Sequence, residues 1–127
     1  MNKKPQYLDN GKALKGHDPI NVYNGTAVLG KEDITSTFED ALYHFDTAEN
    51  KNIFDKEPGK YAPKYGGYCS IAISEGSLVE ANPHSALIQD GELHVFYKND
   101  NVDTQDEWKE NPVANKGKAE IEWAKLL

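Results

Sequence analysis

The sequence predicts an α+β fold, a small single domain of short antiparallel β-hairpins packed by about three helices. Three observations lead there. Residues 86–97 alternate apolar and polar side chains around Asp90-Gly91, a dipeptide suited to a two-residue hairpin turn. Residues 43–56 switch from strand alternation to a capped helical pattern. The last third carries two helix starts, at Thr104 and at Asn111-Pro112. A chain of 127 residues suits one modest core. No internal repeat, low-complexity tract or linker is evident, so the reading is an arm over residues 1–10 and one domain over 11–127.

In chain order, the arm reads as extended and polar, fraying at its first residues, with a turn at Asn10-Gly11. Asp18-Pro19 marks a bend. Ile20-Asn21-Val22-Tyr23 alternates like a strand, and Asn24-Gly25 would turn it onto Thr26-Ala27-Val28-Leu29. A second hairpin is expected from 35–38 and 41–45 around Glu39-Asp40, with Tyr43 and Phe45 on one face and Leu42 and His44 on the other. Asp46, with Glu49 three places on, predicts a helix over 47–56 that buries Ile53 and Phe54 and stops at Pro58-Gly59. Residues 68–73 read as a strand from their β-branched and aromatic content, and Asn82-Pro83 as a loop. In the third hairpin Ile88 should face Leu93, and Leu87 should face His94. Trp108 would anchor the first C-terminal helix. Val113, Gly117, Ile121 and Ala124 would turn the second toward the sheet, with Trp123 at its edge.

Composition removes several function classes. The formal net charge is -7, the isoelectric point about 5.0 and the mean hydropathy -0.75. This sign lacks the positive footprint that nucleic acid or an anionic membrane requires. No apolar run approaches the roughly 18 residues of a membrane span. No apolar stretch follows Met1-Asn2-Lys3-Lys4, so no signal peptide is expected, and a cytoplasmic or a mature exported protein would both read this way. A single cysteine excludes an internal disulfide.

Chemistry concentrates at Tyr61-Ala62-Pro63-Lys64-Tyr65-Gly66-Gly67-Tyr68-Cys69. It holds three of the seven tyrosines and the only cysteine. Gly66-Gly67 permits positive φ or close backbone approach, and Pro63 stiffens the entry. Tyr65 and Tyr68 are candidate walls of a ligand pocket, since tyrosine buries area while keeping a polar tip. A lone cysteine is commonly a small buried hydrophobe. Cysteine with histidine also suits copper or zinc, which makes Cys69, His44 and His17 the candidate metal ligands. His44 and His94, among apolar neighbours, also read as satisfied sheet histidines, and His17 as a turn residue.

Three segments together resemble the YHS-domain family. They are Leu14-Lys15-Gly16-His17-Asp18-Pro19-Ile20, the run Tyr43-His44-Phe45-Asp46-Thr47 with the helix to Phe54, and Pro58-Gly59-Lys60 leading into the tyrosine-rich corner. The resemblance covers roughly residues 11–125, and the corner is its most specific part. Many members of that family carry three cysteines and are described as metal-binding. The resemblance puts those positions on Asn21, Asp46 and Asn50, none of which is a thiolate, so their zinc site is not expected here.

Three functions follow as expectations. The first is a non-enzymatic binding module for a soft metal ion, copper or zinc, or for a small ligand near Cys69. The second is an accessory protein-interaction domain, for which tyrosine enrichment would serve a partner surface. The third is a Cys69-dependent thiol enzyme, which would need a depressed thiol pKa and an adjacent base. No phosphate-binding glycine loop or His-Glu-x-x-His is present, and the reading is of a protein that is not an enzyme.

Overall fold

Period-two alternation and positive-φ turns produce two hairpins in a computed structural model that describes residues 4–126. Strands β1 (Lys31–Phe38) and β2 (Ala41–Phe45) form one antiparallel pair, and β3 (Asn82–Gln89) and β4 (Glu92–Phe96) form the other. Asp90 and Gly91 turn at φ 54 and 77, and Ile88 faces Leu93 while Leu87 faces His94, as the alternation predicts. Glu39 and Asp40 make the equivalent turn at φ 51 and 68 without a glycine, which costs about 1–2 kcal/mol per residue in the left-handed region. Residues 1–3, whose fraying the sequence suggested, lie outside the described residues.

Two expected strands are helices. Residues 20–23 lie in α1 (Pro19–Tyr23), because Asp18 Oδ1 accepts from Ile20 N at 2.8 Å and Asn21 N at 3.3 Å. A carboxylate cap with proline at the first helical position outweighs strand propensity over so few residues. Residues 70–74 form α4 (Ser70–Ser74), with Ser70, Ile71, Ala72 and Ile73 all buried. A short apolar run covered on every side reads the same as strand or helix from periodicity.

The chain is built twice over, contrary to the reading of no internal repeat. The backbone pattern of Lys12–Phe45 recurs 51 places later, over Pro63–Phe96. Lys31 pairs with Phe45 and Asn82 with Phe96, and each hairpin breaks register at the same point, before Thr35 and before Ala86. Lys12 bridges Leu42 as Pro63 bridges Leu93. Asp18 N donates to Val28 O as Cys69 N donates to Val79 O, and Thr26 N to Asn21 O as Ser77 N to Ala72 O. The shared features are backbone features. At the same positions Asp18 is replaced by Cys69 and Tyr43 by His94, which hides the repeat from a residue-by-residue reading.

The remaining helices close each hairpin. In α2 (Ala48–Lys56) Thr47, rather than Asp46, is the cap and accepts from Asn50 N at 3.0 Å. Phe54 is buried against Tyr43 at 4.7 Å and Phe45 at 5.3 Å. Pro58, expected only to stop this helix, opens the single turn α3 (Pro58–Tyr61). In the second half α5 (Gln105–Glu110) plays the role of α2, with Trp108 against His94 at 5.0 Å and Phe96 at 5.6 Å. Six α-helices thus stand among the described residues, where about three were expected. The last, α6 (Pro112–Ala124), is capped by Asn111 and packs chiefly on α4 rather than on a sheet. Its inner face is Ala119 with Trp123 partly buried, so Val113, at 80 % exposure, and Ile121, at 61 %, point to solvent against expectation. No described helix is long and apolar enough to cross a membrane.

Candidate functional site: the tyrosine-rich corner

The corner is a 3-10 turn over Lys64–Gly67 in which Tyr65, Gly66 and Gly67 take φ of 55, 64 and 83. Gly66 is required on two counts, its positive φ and the Pro5 carbonyl oxygen lying where a Cβ would stand. Tyr7 N donates to Gly66 O at 2.9 Å, so the arm lies across the corner. Lys4 Nζ ties the arm to the end of α6, donating to Trp123 O at 2.6 Å and Leu126 O at 2.5 Å. A cation suits the carbonyl end of a helix. Gln6 Nε2 donates to Glu39 O, joining the arm to the turn of the first hairpin.

Between arm, corner and first hairpin lies a cavity of about 520 Å³. Phe38 and Tyr43 line it from the first half, Tyr65 with Pro63 and Gly66 from the second, and Trp123 from α6. Tyr43 is 2 % exposed, and burial pushes its phenol well above the ordinary range, with Glu39 adding to the effect. Its hydroxyl has no hydrogen-bond partner among the described residues. Tyr65 donates to Glu120 Oε2 at 2.5 Å, and its ring lies 5.9 Å from that of Trp123. Burial, then Glu120, raise its phenol too. Both tyrosines are therefore neutral at physiological pH. Lys64 is already engaged, 3.3 Å from Glu92 and 3.6 Å from Glu120.

Of the two pocket residues expected, Tyr65 lines this cavity. Tyr68 does not, and packs against Tyr7 with ring centres 6.0 Å apart. Phe38, Tyr43 and Trp123 were missed, because only the tertiary packing brings residues so distant in sequence to one wall.

The three expected metal ligands are not brought together. Among the described residues no group of three or more His, Cys, Asp or Glu side chains could hold a metal ion. Cys69 is 1 % exposed at the start of α4. Its Sγ lies 3.3 Å from Thr104 Oγ1, whose single proton goes to Tyr97 O at 2.8 Å. The thiol is then the donor in this contact. His44 is buried beside Gly16, and His17 stacks edge-on with His84.

The positions that the YHS resemblance assigns to cysteines do converge, around the buried Asp18. Its Oδ2 accepts from Asp46 N at 2.7 Å and from Asn50 Nδ2 at 2.9 Å, while Asn50 Nδ2 is 3.5 Å from Asn21 Oδ1. A carboxylate satisfied by backbone and amide donors fills the centre of this group. One further pair is wholly internal. Ser70 Oγ and His94 Nδ1 are 3.0 Å apart, both residues are 0 % exposed, and His94 Nε2 has no partner among the described residues. Burial lowers the His94 pKa to about 4, so the ring is neutral at pH 7. Comparison with protein-family models, with curated proteins and with solved structures finds no match to this chain.

Proposed function

We propose that this YHS-like domain is a non-enzymatic binding module that takes a small, flat, largely apolar organic molecule in the cavity beneath the arm. The observation that carries the reading is the wall itself. Three aromatic rings and a neutral phenol with an unpartnered hydroxyl surround a volume within the roughly 300–1,000 Å³ of small-molecule sites. Tyr43 offers such a ligand one hydrogen bond, and Phe38, Tyr65 and Trp123 offer stacking area. Lys4 and Lys64 also line the cavity, but carbonyls of Trp123 and Leu126 hold the first and the carboxylates of Glu92 and Glu120 balance the second, which favours an uncharged ligand over an anion. The thiol, buried and hydrogen-bonded to Thr104, supports neither a metal ligand nor a nucleophile.

The test is a titration of the whole chain with indole- and phenol-class fragments, read by tryptophan fluorescence. Trp123 lines the cavity and Trp108 is fully buried elsewhere, so Trp108→Phe isolates the reporter. Binding should saturate and weaken at least tenfold in Tyr43→Phe or Trp123→Leu. Affinity unchanged in both variants would reject the cavity as the site.

One observation favours a second reading, a protein-interaction domain. Val113, Gly117 and Ile121 make an outward apolar line along α6. Ile121→Lys would then abolish capture of a partner while leaving fragment binding intact.

A further inference from the structure

Two histidines from different halves of the repeat meet at a surface away from the cavity. His17 lies between the 3-10 turn Ala13–Gly16 and α1, and His84 lies in β3. Their ring centres are 5.5 Å apart with planes at 79°. The geometry points to a transition-metal site built on the imidazoles of His17 and His84, taking a borderline divalent ion of the zinc, nickel or copper class.

The tautomer of His17 is fixed. Its Nδ1 is 3.0 Å from Leu14 O, and a carbonyl only accepts, so the proton sits on Nδ1 and the Nε2 lone pair is free. A backbone carbonyl behind a ligating imidazole is the usual orienting contact of a metal-bound histidine. His84 is exposed, and neither of its ring nitrogens has a hydrogen-bond partner among the described residues. Its backbone is held by the bond from His84 N to Asn82 Oδ1 at 2.9 Å.

The separation fits the chemistry. A histidine nitrogen sits about 2.0–2.1 Å from zinc, with the ring centre about 1.1 Å behind it, so two imidazoles at a tetrahedral angle place their centres about 5 Å apart. No third His, Cys, Asp or Glu completes the set among the described residues, so water fills the remaining positions and the ion exchanges readily. Because one ligand comes from each half, a bound ion clasps the repeat. The Irving–Williams order ranks copper above nickel and zinc at such a nitrogen site. This inference does not depend on the cavity or its ligand.

The experiment uses the full untagged chain, stripped with chelator and titrated with zinc while imidazole nitrogen resonances are followed. One equivalent should shift the His17 and His84 signals and leave those of buried His94 unmoved. The exposed His84→Ala variant should keep the chelator-treated Tm within about 2 °C, as surface substitutions usually do. It should lose at least tenfold in zinc affinity. His17→Gln should do the same, and nickel and copper should follow with the same residue dependence. Equal zinc affinity in wild type and His84→Ala would overturn the site. So would shifts confined to carboxylates, or no saturable binding.

Discussion

Burial of His94 makes the stability of the fold depend on pH. The ring is fully buried, and its folded pKa is about 4 against an unfolded value of 6.5. Burial dominates. Glu92 and Glu120 favour the cation, and Lys116 and Lys64 oppose it. Above pH 6.5 both states hold a neutral ring, and His94 costs nothing. Between pH 6.5 and 4 the unfolded chain takes up a proton that the folded one refuses, so stability falls as the pH falls. At about 1.4 kcal/mol per unit, the loss over that window is about 3 kcal/mol. The assay is urea unfolding at intervals from pH 7.5 to 4, followed by Trp108 fluorescence, in wild type and His94→Gln. The variant's own cost at neutral pH drops out, because the slope is the readout. Carboxylates lowered by their lysines, such as Glu92 and Asp90, also destabilise in acid, but equally in both proteins. The wild type should therefore lose about 3 kcal/mol more than His94→Gln across the window. Parallel slopes would refute the argument.

Other consequences concern the remaining unusual positions. Asp18→Asn keeps the shape but weakens charge-assisted bonds to Asp46 N and Asn50, and should cost about 2 kcal/mol in urea unfolding. A change under about 0.5 kcal/mol would mean that the carboxylate is not the hub described. Gly66→Ala places a methyl on the Pro5 carbonyl and strains a positive φ, so hydrogen exchange at the Tyr7 amide should speed up by at least tenfold. Unchanged protection there would show that the arm does not need the glycine. Cys69 should react with a thiol reagent at least 100-fold more slowly in the native protein than in urea, and comparable rates would contradict its burial.

What could be read from the residues depended on how local the determinant was. The register of β3 and β4 was legible because alternation and Asp90-Gly91 act within one hairpin. Residues 20–23 were not, since four alternating residues cannot outvote a carboxylate cap and a proline just upstream. The outward stripe of α6 was misassigned because its partner is α4, itself mistaken for a strand. The structural repeat is not legible in the residues because it lies in backbone bridges and positive-φ corners while the side chains differ, Cys69 standing where the first half has Asp18. The glycine corner marked the neighbourhood of the candidate site, and Tyr65 belongs to its wall. The opposite wall comes from β1, β2 and α6, far along the chain. His84 follows Asn82-Pro83, which reads as a loop but opens β3, and nothing local ties it to His17.

The cavity reading is tested most directly by intermolecular NOEs between a bound indole-class fragment and the labelled protein. A fragment seated in the cavity should show contacts to the rings of Tyr43, Tyr65 and Trp123 together. A saturating fragment whose contacts all fall outside that wall would contradict the reading.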